Sequence, residues 1–224
     1  MRRFVKENSL SLVFGILFLT TLVAHSFAGW QAFNDEQAAE SLGRLTWWRY
    51  VTSADFAVDV SENWQSEFLQ FWLYLSATVW LLQRGSPESK ELEKVGKETD
   101  EEQKVGAHAR ADSPAWAKTG GIRTHIYSSS LALVMGTIFF LSWLVQSIAG
   151  WAAYNETRLA RMQDTISWGS YLIDADFWSR TLQNWQSEFL AVGTLAVLSI
   201  YLRQRGSSQS KPVGEPHSAT GVEG

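Results

Sequence analysis

Apolar residues gather into four runs, separated by polar stretches. The first, residues 9–28, carries one ionisable side chain, His25. Its length of about 20 residues spans a hydrocarbon core of roughly 30 Å as a helix. Residues 128–148 form an equally long run. The run over residues 68–82 is shorter, about 22 Å as a helix, and has a counterpart near the end of the chain. This pattern predicts helices that cross a bilayer. Between the first two runs, residues 30–63 are polar and aromatic, predicted to be part helical with a break at Gly43. Thr52-Ser53 is positioned to cap the next helix, with Asp55 in its first turn, and Asp174 to cap its counterpart. The helix started at Thr52-Ser53 is expected to run through Asn63 and Glu67 and to end near Gln83-Arg84-Gly85, stopped by Gly85 and Pro87.

The runs belong to a repeat. Asn63-Trp64-Gln65-Ser66-Glu67-Phe68-Leu69 returns unchanged as Asn184-Trp185-Gln186-Ser187-Glu188-Phe189-Leu190, an offset of 184 − 63 = 121. The same offset takes Gly15 to Gly136, Ala28-Gly29-Trp30 to Ala149-Gly150-Trp151, and Asn34 to Asn155. It takes Gln83-Arg84-Gly85-Ser86 to Gln204-Arg205-Gly206-Ser207, with no gap between residues 9 and 90. Such self-similarity marks a duplicated structural unit. It also bears on the first run, whose basic start and Ser26-Phe27-Ala28 resemble a cleaved secretory signal. Ser147-Ile148-Ala149 carries the same small-x-small pattern deep inside the chain, which favours a structural helix.

The expected fold is therefore all-α and integral to the membrane, with four transmembrane helices as two tandem parallel-duplicated hairpins. Residues 1–84 form the first two-helix unit and 126–205 the second. Residues 85–125 are a charged linker with eight acidic and seven basic residues. A disordered linker is the favoured expectation there, with a short solvated helix over residues 90–104 as the other. Residues 206–224, rich in Ser, Gly and Pro, are expected to be a disordered tail.

Charge sets the orientation. With four spans, both ends and the linker share one side, which holds 14 of the 19 Lys and Arg, including every Lys. The positive-inside rule places that side in the cytoplasm. Two spans per unit insert both units the same way, related by a pseudo-two-fold axis along the membrane normal. Eight of the twelve Trp flank the runs on the outer side; Trp30, Trp64, Trp151 and Trp185 are the expected interface anchors.

Candidate chemistry is sparse. The absence of Cys excludes disulfides, thiolate catalysis and Cys-ligated metals. No phosphate loop, zinc signature, nucleophile elbow or His-Glu-x-x-His motif occurs, and no cofactor is expected. A net charge of −4 gives no reason to expect nucleic acid. The polar residues at the mouths of the short runs remain: Asn63, Gln65 and Glu67, with Asn184, Gln186 and Glu188. Asn63 lies four residues before Glu67, on the same helical face. An ionisable group in a span is costly and is a functional candidate. Glu67 and Glu188 could share a proton or bind a cation. They could equally be anchors, Glu67 answering Arg44 or Arg49, or accepting from Asn63 and an indole. His25 is matched by Gln146, so no duplicated His site exists. Ser11-x-x-x-Gly15 and Ala132-x-x-x-Gly136 are small-residue pairs of the kind that let helices pack closely.

A first run ending in Ala-Gly-Trp with Asn four residues on, and a second opening with Asn-Trp-Gln-Ser-Glu-Phe-Leu, resemble a group of uncharacterised bacterial integral membrane proteins grouped as a domain of unknown function. The resemblance implies a bacterial inner-membrane protein, and brings no activity, cofactor or catalytic residues. The expected function is that of a non-enzymatic structural or interaction protein. Its partners are the lipid bilayer and a second copy or another membrane protein. A proton- or cation-coupled transporter or channel using Glu67 and Glu188 is the alternative. An enzyme ranks third, because no nucleophile or metal set accompanies the carboxylates.

Overall fold

The computed structural model describes residues 2–224. Helix makes up 65% of it, with no strand among the described residues, so the fold is all-α. In chain order the helices are α1 (Arg2–Glu7), α2 (Ser9–Ala39), α3 (Trp47–Val51), α4 (Ala54–Ala77), α5 (Ala115–Lys118), α6 (Gly121–Ser128), α7 (Ser130–Ala160), α8 (Trp168–Tyr171) and α9 (Ala175–Tyr201). Two of them, α2 and α7, are long and apolar enough to cross a bilayer. Each has 31 residues, or about 46 Å of helix. On α2 the apolar side chains Leu10, Phe14, Leu17 and Phe18 are exposed, which suits lipid rather than water.

The chain forms two compact units. Unit one comprises residues up to Val60 together with Val145–Tyr171; unit two comprises Ser61–Leu144 with Leu172–Gly224. In unit one, α2 and α7 both end in the same way. Ser41 adopts φ 61° and Met162 φ 55°. Leu42 N donates to Gln37 O at 2.7 Å, and Gln163 N to Arg158 O at 2.8 Å. These are left-handed C-terminal caps, which turn the chain back along the helix. The break expected at Gly43 therefore falls at Ser41. Ser53 Oγ accepts from Phe56 N at the start of α4, as its spacing predicts. The core of this unit is built on Tyr50, Val58, Ala149 and Tyr171.

In unit two, Asp174 caps α9 by accepting from Asp176 N at 2.9 Å. Phe139 is stacked between Trp72 and Trp143, with centroids at 5.9 and 5.7 Å, and Trp143 meets Phe177 and Trp185. Gly136 packs closely: a Cβ there would lie 2.9 Å from Trp72 Nε1. Gly15, its match, has no neighbour within 4 Å. The small-residue face of α7 is thus covered by an indole and that of α2 is open. The difference is already in the sequence, since the residue matching Trp72 is Gly193, also without a neighbour within 4 Å.

Helix α4 stops at Ala77, well before the expected end near Arg84. Trp80 N and Leu81 N fold back onto Ala77 O at 2.9 and 2.7 Å, and the chain then turns to the linker. Thr78 Oγ1 bonds back to Tyr74 O at 2.8 Å, Gly96 N donates to Val79 O at 2.9 Å, and Gln83 N donates to Ser89 Oγ at 2.8 Å. Helix α9 runs on to Tyr201, three residues further by the offset. Both helices carry acidic residues in their N-terminal parts, and neither is among the helices long and apolar enough to cross a bilayer. In the linker the helix considered over residues 90–104 is a single 3-10 turn, Leu92–Lys94. Lys90 Nζ instead donates to Gly96 O at 2.7 Å and pairs with Glu98 at 2.5 Å, closing a loop. That ammonium holds the Glu98 carboxyl below its usual range.

Candidate functional site

The most ordered polar chemistry in unit one sits at the outgoing ends of α2 and α7. Trp30 and Asn34 are four residues apart, on one face of α2. The left-handed turn at Ser41 brings the returning chain beneath them. Trp30 Nε1 donates to Leu45 O at 2.8 Å, Asn34 Nδ2 donates to the same oxygen at 3.0 Å, and Leu45 N donates to Asn34 Oδ1 at 2.7 Å. On α7 the matched residues do the same. Trp151 Nε1 and Asn155 Nδ2 donate to Ile166 O at 2.7 and 3.0 Å, and Ile166 N donates to Asn155 Oδ1 at 2.9 Å. Each Asn side chain thus mimics a strand neighbour, satisfying both backbone groups of one residue.

Two further contacts close each lock. Trp47 Nε1 lies 3.2 Å from Ser26 Oγ, and Trp168 Nε1 lies 3.3 Å from Ser147 Oγ. The Tyr50 hydroxyl sits against Gly29 so closely that any Cβ there would collide; at Gly150 a Cβ would lie 2.6 Å from the Tyr171 hydroxyl. This explains the glycine in Ala-Gly-Trp. The expected anchors Trp30 and Trp151 therefore use their indole N–H groups to pin the returning chain. Asn34, Asn155, Ser26, Ser147, Tyr50 and Tyr171 were not singled out as site residues. Their signal was the matching itself: each pair obeys the 121 offset.

The duplicated heptapeptide lies in unit two, and its copies have different surroundings. Gln65 is 0% exposed and Ser66 is buried, whereas Gln186 and Ser187 are exposed. Trp185 Nε1 donates to Gln65 Oε1 at 2.7 Å. Ser66 Oγ donates to Asn63 O at 2.9 Å and Ser187 Oγ to Asn184 O at 2.8 Å, each tying its hydroxyl to its own helix. Asn184 Nδ2 reaches Arg180 O at 3.1 Å; Asn63 and Trp64 are exposed. The cation at this end is Arg180, 3.2 Å from Glu62 and 3.5 Å from Asp176. Glu188 is half-buried and Glu67 exposed. Two buried donors, Gln65 Nε2 and Trp143 Nε1, find no acceptor among the described residues. His25 packs its ring against Phe56 at 5.5 Å, and Gln146 is buried. No group of three or more His, Cys, Asp or Glu among the described residues is placed to hold a metal ion.

No curated protein and no solved structure matches the chain. A family model, described as Domain of unknown function (DUF6766), matches residues 1–222, and the chain belongs to that family.

Proposed function

We propose that the chain is a four-span protein of the bacterial inner membrane, built as two tandem parallel-duplicated helical hairpins, with both ends and the linker in the cytoplasm. It acts without enzymatic chemistry, as a structural or interaction protein that associates with a second copy or another membrane protein. One observation carries this reading: the indole and amide groups of several duplicated residues are spent on the chain itself. Trp30, Asn34, Trp151, Asn155, Trp185 and the Gln65 oxygen hold other parts of the fold. A catalytic or transport site keeps such groups free for a substrate. Helices α4 and α9 serve as the second span of each hairpin by drawing their polar outer halves into the interface, where Trp64 and Trp185 are suited to lie. Reporter fusions test the topology. Those after Arg84 and Arg205 should read cytoplasmic and those near Arg44 and Asp164 external. An external signal from the linker overturns it.

The duplicated carboxylates Glu67 and Glu188, the second of them half-buried, support a second reading, a proton- or cation-coupled transporter or channel. Reconstitution separates the two. Wild type, Glu67→Gln, Glu188→Gln and the double variant are assayed for proton and cation flux beside thermal stability. The structural reading expects no flux in any of them. Wild-type flux lost in either single variant replaces it with the transport reading.

A further inference from the structure

The repeat extends past the helices. Residues 83–90 and 204–211 share the pattern Gln-Arg-Gly-Ser-x-x-Ser-Lys, and both copies adopt one local structure within unit two. Gly85 and Gly206 take φ of 87° and 82°, a conformation that suits only glycine. Ser86 N donates to Gln83 O at 3.0 Å and Ser207 N to Gln204 O at 3.1 Å. Gln83 N then donates to Ser89 Oγ at 2.8 Å, and Gln204 N to Ser210 Oγ at 2.9 Å. The two serine hydroxyls turn onward to Lys90 O and Lys211 O, at 3.3 and 3.1 Å. Each copy is a tight turn that ends with a lysine whose ammonium reaches outside that turn.

What the lysine grips differs. Lys90 takes Gly96 O and Glu98 from the linker. Lys211 is 1% exposed and faces carbonyls: Gly85 O at 2.7 Å, His217 O at 2.9 Å, Ala219 O at 3.1 Å and Pro216 O at 3.3 Å. A buried ammonium is costly unless its protons are all taken. Here four carbonyl dipoles share three protons, and one of them belongs to the turn of the first copy. The tail is sewn to that turn again beyond the lysine. Gly85 N donates to Thr220 Oγ1 at 2.9 Å and Gly221 N to Ser86 O at 3.1 Å. His217 Nδ1 lies 3.0 Å from Ile200 O, and Arg203 Nη2 donates to Glu215 O at 2.9 Å, fastening the tail to the end of α9. A side chain at Gly85 would strike His217 O.

We propose that Gln-Arg-Gly-Ser-x-x-Ser-Lys is a fold-back signal, and that its second copy turns residues 211–221 into a releasable strap, pinned by the Lys211 ammonium, which joins the end of α9 to the Gly85 turn. With the pin in place the turn amides are covered. With it withdrawn, the tail leaves and Gly85 meets solvent.

Amide hydrogen exchange of the full-length protein in detergent micelles, read at single residues, tests this. In wild type, Gly85 and Gly221 should both be protected, because each amide donates across the strap. Lys211→Met keeps the length and removes the charge. It should speed exchange at both glycines by roughly 10- to 100-fold, the loss of a charge-assisted cluster. Lys90→Met should leave them alone and expose Gly96 instead. If Lys211→Met does not accumulate, Ser210→Ala, which removes the acceptor for Gln204 N, should raise the same two rates. Unprotected glycines in wild type overturn the strap without any variant. So does an unchanged rate in the Lys211 variant, or an equal rise in Lys90→Met.

Discussion

Asn34→Ala isolates one half of a lock. The variant removes the acceptor that Leu45 N reaches at 2.7 Å and one of two donors to Leu45 O. Leu45 O keeps Trp30 Nε1 at 2.8 Å, so the group left unpaired is the half-buried Leu45 amide. A net hydrogen bond is worth about 1 kcal/mol, and an orphaned amide adds about 1–3 kcal/mol when water cannot reach it. Leu45 is partly accessible, so the expected cost is about 2 kcal/mol. Asn34→Asp is the sharper probe. It keeps an oxygen for Leu45 N but sets a second one against Leu45 O, where the amide nitrogen stood at 3.0 Å. At neutral pH it should therefore destabilise by a similar amount. Unfolding free energies from SDS titration in mixed micelles measure both. Asn155→Ala should match Asn34→Ala within about 0.5 kcal/mol, because its three bonds have nearly the same lengths. A cost below about 0.5 kcal/mol for Asn34→Ala, or an Asp variant equal to wild type, refutes the assignment.

The open and covered glycines should separate cleanly. Gly136→Leu collides with Trp72 and should cost about 1–3 kcal/mol in the same titration, whereas Gly15→Leu should be close to neutral. Equal losses would mean that the Gly15 face is packed. Trp185→Phe keeps the ring but leaves the buried Gln65 oxygen without its donor, and should cost about 1–3 kcal/mol; a neutral outcome denies the bond. Burial, then the charges of Asp59 and Asp55, pushes the Tyr50 phenol up to about 12. The folded value is above the ordinary value of roughly 10, so the stability it contributes is intact below about pH 10 and declines as pH rises towards 12. Tyr50→Phe should flatten that alkaline decline; an identical slope in the variant sinks the attribution.

Helices, caps and the two helices long and apolar enough to cross a membrane were legible because they depend on local pattern. Ser53 and Asp174 cap because a short polar side chain precedes a helix. The end of α4 was not legible. Gly85 and Pro87 are real breakers, but the helix has already given way at Ala77, where Trp80 N and Leu81 N both fold back onto Ala77 O and the linker then takes Val79 O and Gln83 N. Those partners lie up to seventeen positions away, in Gly96 and Ser89, beyond any helix-stop rule. The locks were half legible. The offset marked Trp30 and Asn34 as a matched pair, but their partner, Leu45, is placed only by the left-handed turn at Ser41, a residue without the usual glycine signal.

The identical heptapeptides show where sequence reading stops. Leu69 is 4% exposed and Leu190 71%; Gln65 is sealed and Gln186 open. Seven equal letters have equal propensities, so the difference comes from what stands around them. Helix α4 carries Trp72, whose indole fills the notch at Gly136, and the face of α4 that holds Gln65 and Leu69 is covered with it. Helix α9 has Gly193 at that position and its matching face, Phe189, Leu190 and Val197, is bare and apolar, suited to lipid. A single Trp-to-Gly difference thus goes with two unlike halves. The same inequality reaches the carboxylates: Glu188 is half-buried and Glu67 is exposed. The symmetry visible in the sequence is therefore a symmetry of backbone and of locks, and it ends where packing begins.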